Sequence, residues 1–211
     1  MVQHLFLEGP IRAGKSTFLR HLLRPYMDRV GGFSSQRLLD NQGNTKAFRI
    51  GPARGTPLTS PYFALGTPEY TRAEDQGGNG IFRINRDDGS LGKFSQVFRR
   101  EGVHYLKDTR GKKLLLLDEI GGVEMQEARF RRTLYDILAG PIPCIGVIKL
   151  EEKAALMTKT AGYEKSIVSY NRELRRRLTE EYNGKILPFR RDDETMTREV
   201  KEFVCGIFTT D

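Results

Sequence analysis

This chain has little of several things that would settle its class at once. Its 211 residues include two cysteines and three histidines. Cys144, in an apolar segment, and Cys205, near the end, make no disulfide framework and point to a reducing, cytoplasmic setting. His4, His21 and His104 are isolated and show no metal-ligand spacing, which assigns them structural roles. No apolar run approaches the roughly 20 residues that a membrane helix needs. The sequence enters an apolar stretch almost at once, without a basic region and a cleavage site, so no export signal is expected. Repeats and low-complexity tracts are missing as well. The net charge of +8 invites a nucleic-acid reading. Yet Arg99-Arg100, Lys112-Lys113, Arg129 to Arg132, Arg175 to Arg177 and Arg190-Arg191 are interspersed with acidic residues, and no aromatic ladder accompanies them. Solvated helix faces, and arginines that hold an anionic ligand, account for the surplus, and a nucleic-acid partner is not expected.

What is present is concentrated early. Gly9-Pro10-Ile11-Arg12-Ala13-Gly14-Lys15-Ser16, with Thr17 next, follows the apolar run Val2 to Leu7 and opens a helix-like stretch. Gly, four residues, Gly, Lys and Ser is the P-loop (Walker A) pattern, and strand before with helix after is its confirming context. The glycines let the backbone bend so that successive N–H groups point inward. The helix N-terminus adds positive potential. Lys15 is then placed to reach the β- and γ-phosphates of a nucleotide, and the Ser16 hydroxyl to ligate Mg²⁺.

The rest of the chain alternates strand and helix signals. A strand over Val2 to Leu7 and a helix from Lys15 to about Met27, shortened by Pro25, lead to Phe33 to Leu39 and Lys46 to Ile50. Asp40 to Asn44 is dense in turn formers and predicts an antiparallel hairpin there. From Gly51 to Gly92, prolines and the Gly77-Gly78-Asn79-Gly80 cluster break the pattern, and a lid and a plain surface excursion both fit. Ile81 to Ile84 reads as a short strand, Gly92 to Phe98 as another, and Arg99 to about Thr109 as a helix. Leu114 to Leu117, continuous and apolar, predicts a central parallel strand buried on both faces. A helix from Gln126 to Leu138, a strand over Pro143 to Ile148, helices over Glu151 to Met157 and Ser166 to Tyr182, a strand over Lys185 to Phe189 and a helix over Asp193 to Phe208 complete the series. This is the pattern of an α/β fold: a three-layer sandwich with a mostly parallel central sheet, expected as one domain over 1–211.

Asp118 ends the four-leucine strand, the position of a Walker B carboxylate that holds Mg²⁺, and Glu119 follows it. Glu119 is placed to orient and deprotonate a water attacking the γ-phosphorus. Ligands of such sheets bind at the carboxyl ends of the strands, where Ser16 and Asp118 both fall. No Asn-Lys-x-Asp guanine reader occurs, since Asn44-Thr45-Lys46-Ala47 lacks the Asp and comes too early. Protein-kinase signatures are absent. A nucleoside, nucleotide or small-molecule kinase and a non-enzymatic ATP-binding switch remain as alternatives to hydrolysis.

With both motifs in place the chain resembles the small cancer-related nucleoside-triphosphatase family. The matching landmarks are the early P-loop, Gly31-Gly32-Phe33 with Arg37, Gly92-Lys93-Phe94 to Phe98, and Leu117-Asp118-Glu119-Ile120-Gly121. Glu124-Met125, Phe130 and Pro143 to Ile148 follow. The resemblance implies a RecA-like P-loop core and Mg²⁺-dependent release of phosphate from ATP and other nucleoside triphosphates with loose base selectivity. Three positions depart from the family's habit: Ile11-Arg12-Ala13 fills the middle of the P-loop, Gly122 stands where Lys is common, and Lys149 where His is common. Arg12, inside the P-loop, is placed to touch the phosphates or an acceptor, and Arg37 matches a family landmark that a salt bridge explains equally well. Arg129, Arg131 and Arg132 are the candidates for a charge-stabilising arginine.

Overall fold

The computed structural model describes residues 2–39, 42–54, 80–86 and 88–209. Eight strands form one sheet: β1 (His4–Glu8), β2 (Val30–Leu39), β3 (Thr45–Pro52), β4 (Ile81–Asn85), β5 (Leu91–Lys93), β6 (Leu114–Ile120), β7 (Cys144–Ile148) and β8 (Gly184–Pro188). Their order is β5-β4-β3-β2-β6-β7-β1-β8. The segment from β2 to β8 is parallel, and β3, β4 and β5 extend it antiparallel. The helices are α1 (Lys15–Leu23), α2 (Val103–Lys107), α3 (Ala128–Leu138), α4 (Glu151–Thr160), α5 (Ser166–Glu180) and α6 (Glu194–Phe208).

The four leucines of β6 explain the layers. Leu114 and Leu116 join one apolar cluster with Leu5, Leu7, Ile145 and Val147, and residues of α1 and α6 cover it. Leu115 and Leu117 join the other, with Phe6 and Phe33, beneath α2, α3 and α5. All four leucines have no exposed surface, as a strand buried on both faces requires. The α6 stripe Met196, Val200, Val204 and Phe208 repeats every four residues, and Asp193 caps the helix by accepting from the Met196 N–H at 2.9 Å.

The long β2 strand joins the two halves of the sheet. Val30 to Ser34 pair with β6, whereas Phe33 to Leu39 pair with β3. The strand therefore runs about five residues past its β6 partner at the carboxyl edge, carrying the hairpin with it.

Several boundaries differ from expectation. α1 ends at Leu23, and Arg24–Arg29 is a 3₁₀ segment, because Pro25 has no N–H for the helical ladder. Gly92 to Phe98 is not a strand throughout. β5 stops at Lys93, and Phe94, Val97 and Phe98 are buried at helical spacing, with the Val97 and Phe98 N–H groups donating to Phe94 and Ser95. The helix expected over Arg99 to Thr109 divides into a wide π-type turn, Phe98–Gly102, and the short α2. Most of the Gly51 to Gly92 lid reading, residues 55–79, lies outside the described residues, as do Asp40 and Asn41 of the hairpin turn.

His4 is a structural histidine, as expected. Its Nδ1 accepts from the Cys144 N–H at 3.0 Å, so Nε2 carries the proton and donates to the Leu138 carbonyl at 3.0 Å. Burial pushes its pKa from 6.5 down to about 4. The unfolded chain binds this proton below pH 6.5 and the folded chain only below about 4. The contribution is therefore complete above pH 6.5 and lost as pH falls towards 4. Urea unfolding should show the wild type losing about 2–3 kcal/mol more than His4→Gln between pH 7 and pH 4. Equal losses in both would place the titration elsewhere.

Candidate active site

Gly9 and Gly14 bracket the loop with positive φ values of 147° and 99°, and Arg12 also lies in the left-handed region at 65°. The chain turns so that Gly14 caps α1 and Lys15 opens it. Lys15 is buried, and its Nζ donates to the Gly9 and Pro10 carbonyls at 2.8 and 2.7 Å. Its pKa is lowered by burial, an effect opposed by Glu119 and Asp118. A Cβ on Gly14 would stand 3.4 Å from Arg191 Nη2, so Arg191, just past β8, also reaches the loop.

Across the sheet, Ser16 Oγ donates to Asp118 Oδ1 at 2.8 Å. Asp118 is 2% exposed, and its other oxygen, Oδ2, is buried with no partner. Burial pushes its carboxyl up to about 6 against the Ser16 hydrogen bond and the Arg20 charge. A buried carboxylate with an unused oxygen beside a hydroxyl is a hard-oxygen donor set that suits a divalent cation. No group of three His, Cys, Asp or Glu among the described residues could hold a metal alone. A cation there therefore needs oxygens from a ligand and from water, which is the habit of Mg²⁺ with phosphates.

Glu119 occupies a bulge. β6 and β7 pair at Asp118↔Val147 and next at Ile120↔Ile148, leaving Glu119 outside the ladder. Such a slip lets two consecutive residues line the same cavity, and both acids do so. The peptide bond between them is cis. Glu119 Oε2 accepts from Lys149 Nζ at 2.7 Å; the lysine is mostly shielded from solvent and the Glu119 side chain is 34% exposed.

A cavity of about 410 Å³ is lined by 11–17, by Asp118 and Glu119, and by Ser35, Arg37 and Phe48 of the hairpin. Gly9 and Pro10 stand behind it, offering carbonyls to Lys15. Of the arginines singled out above, Arg12 and Arg37 reach the cavity. Arg129, Arg131 and Arg132 do not. Arg131 donates to the Met125 carbonyl and lies 4.0 Å above the Tyr170 ring, while Arg129 and Arg132 are exposed on α3. Their spacing marked a helix surface.

Three residues of the site had weak signals or none. Lys149 was visible only as a departure from a family habit. Glu124, 4% exposed, accepts from the Gly122 N–H at 2.8 Å, and burial pushes its carboxyl up to about 7. Asn171, wholly buried in the charged helix α5, donates to the Gly121 carbonyl at 2.7 Å and the Lys149 carbonyl at 3.1 Å. It joins the two segments that carry Glu119 and Lys149. Only the apolar phase of α5, Ile167, Asn171, Leu174 and Leu178, hints at it.

A five-stranded parallel core with the glycine loop after one strand and the acidic pair two strands away defines an α/β P-loop fold. A family model described as NTPase matches residues 75–182, just over half of the chain, and the chain belongs to that family. The matched stretch holds Asp118, Glu119, Lys149 and Asn171 and begins after the glycine loop. Two solved structures share the fold over nearly the whole length. A human cancer-related nucleoside triphosphatase is 18% identical with a TM-score of 0.56, covering 99% of both chains. THEP1 from the hyperthermophile Aquifex aeolicus is 17% identical with a TM-score of 0.56, over 97% of this chain and 98% of that one. No curated protein sequence matches. No helix among the described residues is long and apolar enough to cross a membrane.

Asn171→Ala takes the side-chain donor from the buried Gly121 carbonyl, leaves the Lys149 carbonyl with Arg175 alone, and opens a small void. It should destabilise the fold by about 1–3 kcal/mol in urea unfolding. An unchanged midpoint would show that the two segments hold their places without it.

Proposed function

We propose that this protein is a cytoplasmic, Mg²⁺-dependent nucleoside-triphosphatase, one domain that cleaves ATP and other nucleoside triphosphates to the diphosphate and phosphate. Membership in an NTPase family supports the hydrolase class. The observation that carries the finer reading is the 2.8 Å hydrogen bond between Ser16 and Asp118, which brings the glycine loop and the acidic pair to one cleft. Free Cys144 and Cys205 thiols fit a reducing compartment.

In this reading the backbone N–H groups of 9–17 cradle the phosphates, and Lys15 turns from the Gly9 and Pro10 carbonyls to the β- and γ-phosphates. Ser16 Oγ and Asp118 would hold Mg²⁺, which would supply positive charge against the phosphates. Glu119, kept in place by Lys149, accepts a proton from a water whose oxygen bonds to the γ-phosphorus. The bond from the γ-phosphorus to the β-bridging oxygen breaks, and the diphosphate leaves with the electron pair. Arg37, which faces Glu119 and Arg12, stands where it can offset charge on the transferring group.

Two substitutions separate binding from chemistry. Lys15→Ala should weaken the binding of a fluorescent ATP analogue and abolish phosphate release. Glu119→Gln should bind Mg·ATP within a few-fold of wild type while phosphate release falls by roughly a hundredfold or more, the scale of losing a positioned base. Normal hydrolysis by Glu119→Gln would assign the base to another group.

A further inference from the structure

Beside the nucleotide cleft lies a second cavity of about 210 Å³, and Glu119, Arg37, Phe48, Ser35 and Ile11 line both. We propose that this second cavity is an acceptor site that seats a nucleoside 5′-monophosphate, to which the protein can pass the γ-phosphoryl group. The proposal rests on the reading that the glycine loop holds a triphosphate.

Its position argues for a second molecule. The lysine of such a loop reaches the β- and γ-phosphates, so the end of the cleft at Asp118 and Glu119 is the γ end. The second cavity adjoins that end, sharing Glu119 and Arg37 with it. Its size is below the roughly 300 Å³ at which pockets for drug-sized ligands begin, enough for a base with its sugar and too small for another triphosphate.

Its lining argues for an aromatic, anionic occupant. Phe82 and Phe98 stand with ring centres 4.8 Å apart and Phe48 6.2 Å from Phe82; Phe98 is buried, and the half-buried Phe48 and Phe82 give the cavity an aromatic wall against which a base can pack. Tyr163 lines the same cavity, and its hydroxyl is buried without a partner, a polar group available to a base edge. The Arg37 and Arg83 guanidinium carbons lie 5.7 and 5.2 Å from the Phe48 ring centre. Neither arginine makes an ion pair among the described residues, whereas Lys149 is already bound to Glu119. Arg37 and Arg83 thus bring cationic groups without a direct ion pair to a lining that also holds Glu119 and Glu124. Arg37 also lines the junction of the two cavities, where an acceptor phosphate would meet the γ-phosphate.

The chemistry separates transfer from hydrolysis. A phosphate monoester has its second pKa near 6, so about neutral pH it is already a dianion and needs no base. One of its oxygens bonds to the γ-phosphorus, the bond from that phosphorus to the β-bridging oxygen breaks, and ADP leaves with the electron pair. No proton moves. Water, by contrast, must give a proton to Glu119.

The experiment incubates the full chain with ATP labelled at the γ-phosphate and Mg²⁺, adding AMP, GMP, CMP, UMP or dTMP in turn. The matching nucleosides and inorganic phosphate serve as comparisons, and labelled products are separated by thin-layer chromatography. At least one monophosphate should yield labelled diphosphate, and the nucleosides and phosphate should not. Glu119→Gln should raise the ratio of labelled diphosphate to free phosphate at least tenfold, because only the hydrolytic step needs the base. Arg83→Met should lower the ratio of labelled diphosphate to free phosphate at least tenfold. Met157→Trp, which fills the cavity from α4, should do the same, and either folded variant suffices. Free phosphate from ATP with no label on any monophosphate overturns the acceptor site and leaves the hydrolase reading standing. Label on nucleosides rather than monophosphates overturns the assignment of Arg37 and Arg83. A chain that neither binds nor cleaves ATP overturns both readings.

Discussion

The site depends on one buried carboxylate. Asp118 is held by a single hydrogen bond from Ser16, keeps its second oxygen unpartnered, and has its carboxyl pushed up to about 6 by burial. Desolvating such a group without full compensation costs free energy, so the fold bears this cost before any ligand arrives. The sheet makes it bearable. β7 separates β1 from β6, and both cores close around the four leucines that precede Asp118. A strand anchored on both faces cannot withdraw the acid from the loop. The slip that follows, between Asp118 and Ile120, then brings Glu119 onto the same cavity.

Around this acid the charges form a chain of neighbours. Lys15 lies against the loop carbonyls, Lys149 against Glu119, and Asn171 joins the Gly121 and Lys149 carbonyls. Gly121, at φ 86°, has no room for a side chain because Asn171 Nδ2 stands 2.6 Å from where its Cβ would be. Much of the basic surplus is used elsewhere. Arg175 pairs with Glu8 at 2.5 Å, Arg172 with Glu151, and Arg176 and Arg177 with Glu180 and Glu181 on the surface of α5. Exposed pairs of that kind contribute little to stability, and they make the outer helix face nearly self-neutral.

The parts of the molecule that the sequence made legible are those where local pattern and global role agree. The Gly9 to Ser16 spacing, the four leucines and the acidic pair each carry their meaning within a few residues. The hairpin was legible from its turn formers, and the family from the order of short landmarks. Phe94 to Phe98 was misread because the apolar residues Phe94, Val97 and Phe98 satisfy both a strand alternation and a helical turn. Asn171 was invisible because its role exists only where α5 meets two distant carbonyls. Glu124 and Lys149 stood in plain view, yet nothing local says that one is buried and the other tied to Glu119. The second cavity could not be foreseen, since Phe48, Phe82, Phe98 and Tyr163 come from four separate segments.

The overhang of β2 has a consequence for how such a protein can diversify. Its first half belongs to the parallel core and its second half to the antiparallel extension, so one strand serves two architectures. Side chains on β3 and β4 can be exchanged without altering the register that sets Ser34 opposite Asp118. The glycine-loop edge and the neighbouring hollow are thus mechanically joined, and Phe48 of β3 lines both. A lineage could reshape both hollows by editing the extension, while the parallel strands that carry the loop and Asp118 keep their register.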